Sequence, residues 1–431
     1  MILGETDFHG GRRSFGVREP ARLAHMWVLG KTGSGKSTLL KNMIQSDLCA
    51  GRGLMLIDPH GDLADAALDL VPQTRIADTI YFNPADTDYP MAFNPLDVSA
   101  GVPPSLVAGG LIATLKKTWP EFWGPRMEYI LRAALLTLLA VPGATLLDLH
   151  RLLVDVPFRE GIVAMVKDPQ LLQFWHQEFS SYARSFRAET VSPILNKSGQ
   201  FLLSTTLRHI LGQRRSSFSL RGLMDEGGVF IANLAKGRLG EDVAALLGSL
   251  LVSQLELAAL TRVDSPEDKR RPFFLYVDEA HLVATRAMVD LFPEARKFGL
   301  GVILAHQYLE QLDDELLAAI LGNVGTFITF RLGARDATAL AKEFVPEDSE
   351  LDLVRLPAYE AYVKLMVDGT TSRPFTARTF PPPLPQVSYR SEIVARTREL
   401  FSRSVAEVEE DLAREWSEPR MRALEDEALG A

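Results

Sequence analysis

Two short stretches carry the residue types that phosphate chemistry needs. The first is Gly30-Lys31-Thr32-Gly33-Ser34-Gly35-Lys36-Ser37, a G-x-x-x-x-G-K-S pattern. Glycines at 30, 33 and 35 let backbone N–H groups turn inward around a polyphosphate without side-chain obstruction. Lys36 is spaced to reach the β- and γ-phosphates, and the Ser37 hydroxyl to ligate Mg²⁺. Thr32, Ser34 and Thr38 complete the candidate nucleotide contacts. The second stretch is Asp278-Glu279, which closes an apolar run over residues 272–277. Asp278 would order the metal, and Glu279 could reach the water in line with the γ-phosphate and take its proton. The pair predicts ATP and Mg²⁺ as cofactors.

These residues need rigid elements to hold them. The apolar run 26–29 is suited to a buried strand that ends at the loop. A helix from 38 to 48 would then present its free N–H groups and dipole to the phosphates. Further strands are expected over 53–58 and 79–82, with a helix over about 63–70 between them. After Gly227, strands over 228–233, 272–277, 300–305 and 323–331 restore the alternation. Continuous apolar strands alternating with helices imply an α/β fold with a mainly parallel sheet covered on both faces. Asp58 falls where a strand leaves the sheet, as a nucleotide contact or a helix cap before Pro59. Gln307 follows the 300–305 strand, as a γ-phosphate sensor or as a cap. Residues 361–367 and 375–380 read as a hairpin. Pro381-Pro-Pro-Leu-Pro385 reads as a stiff linker before a charged segment, 387–431, that reads as a solvated helix or a docking tail peripheral to the core.

Between residues 103 and 222 the strand pattern gives way to helical segments, an all-α insertion. The expected division is therefore 1–98 and 223–380 for the sheet-bearing core, 99–222 for the insertion and 381–431 for linker and tail. Residues 180–222 hold seven basic residues against one acid, Glu189, in a chain of net charge −9. Tyr182, Phe186, Phe201 and Phe218 lie among them. This composition suits a nucleic-acid surface, with Arg208, Arg214 and Arg215 as candidate phosphate contacts. It also suits a solvated helix face or arginines bonded to a neighbouring subunit. The single cysteine, Cys49, excludes an intrachain disulfide framework and reads as a small buried residue. Residues 1–16 lack the apolar core of a secretory signal. The apolar segments 129–141 and 243–260 read as core helices, giving a cytoplasmic expectation.

The ordered set of motifs resembles the HerA/FtsK superfamily of ring-forming DNA motors, and most closely its branch of type IV secretion coupling proteins. His25-Met-Trp-Val-Leu-Gly-Lys-Thr-Gly-Ser-Gly-Lys-Ser, Leu56-Ile-Asp-Pro-His-Gly-Asp-Leu and Phe93-Asn-Pro-Leu carry it in the first half. Tyr276-Val-Asp-Glu-Ala-His, His306-Gln and residues 323–331 carry it in the second. The resemblance implies a RecA-like P-loop core, a homohexameric ring with DNA in its pore, and Arg331 or Arg335 reaching into the neighbour's site. It implies an ATP-driven DNA translocase. The alternative is a HerA-like motor or nucleotide-switched scaffold that partners a nuclease in DNA processing or defence. Coupling proteins usually carry N-terminal membrane helices and HerA proteins an N-terminal β-barrel, whereas about 25 residues precede the loop here. A relaxase, a nuclease or a membrane-anchored partner that recruits the chain to the inner membrane is the corresponding expectation.

Overall fold

The computed structural model describes residues 1–8, 11–97, 102–119, 123–284, 286–344, 353–385 and 387–417. The chain divides into two compact units, one of residues 1–82 and 220–397, the other of residues 83–219 and 398 onward. The expected borders at 98 and 222 therefore move to Phe82 and Ser219, because residues 83–97 bond to the helical unit. Phe93 N donates to Ile210 O at 3.1 Å. Asn94 Nδ2 donates to Ala144 O at 2.9 Å and Arg214 O at 2.8 Å. The Phe93-Asn-Pro-Leu motif is thus a tie inside the helical unit.

The first unit is built on an eleven-stranded sheet of order β2-β1-β13-β10-β9-β3-β8-β7-β4-β6-β5. Here β1 is Ile2–Phe8, β2 Gly11–Gly16, β3 Met26–Leu29, β4 Gly53–Asp58 and β5 Thr79–Phe82. β6 is Val229–Asn233, β7 Phe273–Val277, β8 Leu300–His306 and β9 Thr326–Thr329. β10 is Glu360–Lys364, β11 Met366–Val367, β12 Thr370–Thr371 and β13 Phe375–Thr379. From β9 to β5 all neighbours pair in parallel. β3, β4, β6, β7 and β8 are buried at every position. A strand covered on both faces needs apolar residues throughout rather than alternation. β10 and β13 instead alternate in burial and pair antiparallel.

The N-terminal hairpin is an addition to the expected strands. β1 pairs with β13, setting Glu5 opposite Arg378, and with β2. β2 is polar and mostly exposed, so no hydrophobic alternation marks it. Its place is set by the buried Leu3 and Val17, with Val17 N donating to Met1 O at 2.9 Å.

The helix Lys36–Cys49 packs Leu39, Leu40, Met43, Ile44 and Leu48 into the same core as Met26 and Val28 of β3. Its far end is fastened by a buried polar network. Arg22 donates twice to Asp47, at 2.6 Å each, and to Tyr276 OH at 2.9 Å. Tyr276 OH donates to Asp47 Oδ2 at 2.5 Å. The network joins the phosphate-loop helix to β7. Cys49 is exposed, contrary to expectation, because it ends the helix at the Gly51 turn. Helix Glu241–Thr261 lies largely inside the unit. Among the described residues, 241–264 is the one helical stretch long and apolar enough to cross a membrane, and 72% of its apolar window is buried.

His25 sits behind the sheet with φ 64°. Its Nδ1 accepts from Val302 N at 3.1 Å, so Nε2–H donates to Phe292 O at 2.9 Å. Burial above all, aided by the Arg296 charge, pushes the ring's pKa down to about 4. The unfolded ring takes its proton near 6.5, so between these values the unfolded chain binds more protons than the folded one. Stability is therefore expected to fall as pH drops through that window, by up to about 3 kcal/mol from this ring. Thermal unfolding from pH 7 to 4.5 checks it. An identical pH slope in His25→Asn would contradict the assignment.

The segment after the prolines is structural, which corrects the expectation of a peripheral tail. Arg390 donates to Asp65 at 3.0 Å and to Asp69 at 2.7 Å, and Ile393 and Thr397 are buried in the first unit. Beyond residue 397 the chain belongs to the second unit, where Val405 N donates to Asp88 O at 2.9 Å and Val408 is buried. Removing residues 387–431 is accordingly expected to give an insoluble or thermally weakened protein. Ile393→Ala alone should cost about 2–5 kcal/mol, read as a lowered unfolding midpoint. An unchanged midpoint would return the segment to the periphery.

Candidate nucleotide site

Parallel register brings the candidate residues to one edge of the sheet. Leu29 pairs with His306, Val277 with Ile57 and with Leu304, and Asp58 with Asn233. The residues that follow these strand ends, Gly30, Asp278, Glu279 and Gln307, therefore share the carboxyl edge on which open α/β sheets bind ligands.

The loop is held from below and beside. A Cβ on Gly30 would lie 2.6 Å from Phe330 Cβ, so only glycine lets the loop cross that buried ring. Gly33 has φ 74°, and open space faces its missing side chain. Lys31 N donates to Arg331 O at 3.0 Å, and Tyr359 N to Ser34 O at 2.8 Å. No side chain caps helix Lys36–Cys49, and its first turn has no acid. Its first N–H groups thus face the loop as an anion cradle. Lys36 Nζ donates to Gly30 O, and to Lys31 O at 3.4 Å. Burial lowers its pKa against the opposing pull of Glu279 and Asp278. Ser34 Oγ is buried without a partner among the described residues. Ser37 and Thr32 stand at the exposed rim. Uncapped N–H groups, an open glycine turn, a serine hydroxyl and an acid at the end of β7, one strand beyond β8, fit a polyphosphate with a divalent cation.

The acidic side is tightly coupled. Burial first, then the like charges of Asp58 and Glu279, push the Asp278 pKa up to about 7. Asp58 accepts from His60 N at 2.9 Å and Ala64 N at 2.8 Å. It therefore caps the helix Asp62–Asp69 while its charge presses on Asp278. Glu279 has φ 45°, a left-handed conformation that costs a non-glycine residue on the order of 1 kcal/mol. Gln307 joins the halves of the site. Thr32 Oγ1 donates to Gln307 Oε1 at 2.9 Å, and Gln307 Nε2 donates to Glu279 Oε1 at 2.6 Å. Capping falls instead to Gln311, whose Oε1 accepts from Gln307 N and Tyr308 N. Glu279 Oε2 lies 3.5 Å from His281 Nδ1, and His60 Nε2 lies 3.8 Å from Glu279 Oε1.

His306 supports this edge as a neutral ring. Trp27 Nε1–H donates to His306 Nε2 at 2.6 Å, which leaves Nδ1–H to donate to Tyr308 O at 3.1 Å. Burial lowers its pKa to about 3. Trp27, His60, His281 and His306 stand within the sequence motifs, which give them no role. Gln311 and Tyr359 lie outside every motif, and no spacing rule marks them.

The arginines are placed differently from one another. Arg331 lies beside its own loop through the Lys31 contact and is half-buried. Arg335 is 86% exposed and pairs with Glu310. In the second unit, Arg208 Nη1 donates to Leu202 O at 2.7 Å, and Arg214 pairs with Glu415 at 2.5 Å. Arg215 is exposed. The aromatics interleaved with them are packing groups. Phe201 is buried, Phe218 stacks on Phe93, and Tyr182 contacts Phe179 and Phe186. Reversing Arg208 or Arg214 would therefore disturb the unit itself, and Arg215 is the cleaner probe of a DNA surface.

The fold is shared with solved structures of a plasmid coupling protein and of VirB4. The plasmid coupling protein TrwB in complex with the non-hydrolysable GTP analogue GDPNP matches with a TM-score of 0.60 at 17% identity, over 86% of this chain and 88% of that one. TrwB in complex with ADP and Mg²⁺ matches at 0.57 and 17%, over 85% and 89%. VirB4 of Thermoanaerobacter pseudethanolicus matches at 0.63 and 15%, over 89% and 97%. These likenesses show a RecA-like P-loop core with a mostly parallel sheet. No curated protein sequence matches the chain. The family model of the type IV secretion-system coupling protein DNA-binding domain matches residues 17–365, most of the chain, and the chain belongs to that family.

Proposed function

We propose that this chain is an ATP-driven DNA translocase of type IV secretion, working as a homohexameric ring. The observation that carries the reading is the bonded path from the phosphate loop to the carboxylate, Thr32 to Gln307 to Glu279. It links nucleotide occupancy to the group placed to activate water. The family is named for DNA binding in coupling proteins. TrwB is known in complex with ADP and Mg²⁺ and with a GTP analogue, which supports a nucleotide in the same loop.

Lys36 would leave the loop carbonyls for the β- and γ-phosphates, and Gly33, Ser34 and Gly35 would donate backbone N–H groups. Ser37 and Asp278 would hold Mg²⁺, which neutralises phosphate charge when bound. Glu279 Oε1 is held by Gln307, leaving Oε2 to accept a proton from water. Arg331 or Arg335 would stabilise charge developing on the transferred phosphoryl group. DNA contact falls to exposed basic positions such as Arg215. A relaxase or membrane-anchored partner would supply substrate and location. ATP hydrolysis measured with and without single- and double-stranded DNA tests the proposal. Stimulation lost in Lys36→Ala is expected, and hydrolysis indifferent to both DNA forms would favour the nuclease-partner alternative.

A further inference from the structure

Glu279 is held at one carboxylate oxygen only. Gln307 Nε2 donates to Oε1 at 2.6 Å, whereas Oε2 is buried and accepts no hydrogen bond among the described residues. The terminal torsion of a glutamate is broad, so one such bond does not fix where Oε2 points. A base that must meet water in line with the γ-phosphate needs that direction fixed. The group facing Oε2 is His281, in the short helix Ala280–Val283, with Nδ1 3.5 Å away. Gln311 decides which ring nitrogen carries the proton. Its Oε1 accepts from Gln307 N at 3.0 Å and from Tyr308 N at 3.2 Å, which sets the amide with Nε2 on the other side. That Nε2 can only donate, and it lies 3.4 Å from His281 Nε2. His281 Nε2 is therefore the acceptor, and in the neutral ring the proton sits on Nδ1, toward Glu279 Oε2. His60 is not placed for the same task. Its Nε2 lies 3.8 Å from Oε1, the oxygen that Gln307 holds, and its side chain is 42% exposed.

We infer that His281 is a positioning residue for the Glu279 carboxylate, its Nδ1–H fixing the direction of Oε2 while Gln311 holds the tautomer. The inference rests on the reading of Glu279 as the base that activates water. A separation of 3.5 Å is long for a hydrogen bond, and contacts of this kind tighten once substrate is bound. The Nδ1–H takes one lone-pair direction of Oε2 and leaves the other for the proton that water gives up. His281 keeps its own proton throughout, so it orients the base as the third member of a triad does and is not itself an acid or base. The turn after β8 carries both Gln307 and Gln311. It thus sets both oxygens of Glu279, Oε1 directly and Oε2 through His281.

The test is steady-state hydrolysis of Mg²⁺-ATP by the full chain, with unfolding midpoints measured on the same variants. His281→Ala is expected to lower kcat about 10²-fold, the scale of a small misplacement of a reacting group, with KM unchanged. His281→Asn puts an amide N–H where Nδ1–H stood and is expected to restore most of the rate. His281→Gln puts its amide at the Nε2 position instead and should stay as slow as His281→Ala. In the Glu279→Gln background, His281→Ala should cost nothing further, because no base is left to aim. A folded His281→Ala with the parent kcat overturns the inference, and so do equal rates in the Asn and Gln variants or full additivity with Glu279→Gln. In those cases Glu279 stays the base as long as Glu279→Gln alone is slow. Fast hydrolysis by Glu279→Gln removes the base reading and this inference with it. Should His281→Ala not fold, the Asn-to-Gln comparison decides alone.

Discussion

Glu279→Gln is expected to bind ATP like the parent chain and to hydrolyse it about 10²–10⁴-fold more slowly. The amide is nearly isosteric, and the left-handed backbone at 279 is already set by its place after β7. Gln307 Nε2 can still donate to the amide oxygen in place of Glu279 Oε1. What is lost is the proton acceptor at Oε2. Loss of turnover with retained binding, compared by single-turnover hydrolysis and by titration, therefore isolates the base from the binding machinery. Near-normal hydrolysis would remove Glu279 from the role.

Arg331→Ala is expected to bind ATP and to lose about 10³–10⁵ in turnover, the range measured for finger arginines. A finger supplied by the neighbour makes hydrolysis depend on ring closure, which suits a motor. Mixing Arg331→Ala with Glu279→Gln subunits is then expected to restore part of the activity. Some interfaces would pair an intact Glu279 with an intact Arg331 from the adjacent subunit. Arg331 also lies against its own loop, with its carbonyl 3.0 Å from Lys31 N. Stable mixed rings with no recovery would place its action within one subunit and move the trans role to Arg335, whose side chain is 86% exposed. Full activity of Arg331→Ala alone would remove it from catalysis.

The parallel half of the sheet is legible in the sequence because its strands are buried on both faces. Runs such as Gly53–Asp58 and Phe273–Val277 have no other reading between helices. Once the strands are parallel, their carboxyl ends must share an edge, so Gly30, Asp278, Glu279 and Gln307 follow from strand order alone. What stayed hidden depends on polar contacts between distant residues. β2 joins the sheet with an exposed polar sequence. Arg390 finds Asp65 and Asp69 more than three hundred residues away, and composition alone marked that segment as solvated. Arg208 and Arg214 satisfy themselves on a backbone carbonyl and on Glu415, which charge counting does not foresee. Tyr359 matters through a backbone amide and a left-handed φ, neither of which residue type announces.

Translocation itself is the central claim, and ATP-dependent displacement of streptavidin from the biotinylated end of a DNA strand or duplex tests it most directly. The parent chain is expected to displace streptavidin with ATP and Mg²⁺ on at least one DNA form, and Glu279→Gln to bind that DNA without displacing it. A parent protein that hydrolyses ATP in the presence of DNA yet displaces nothing from either form would contradict the account.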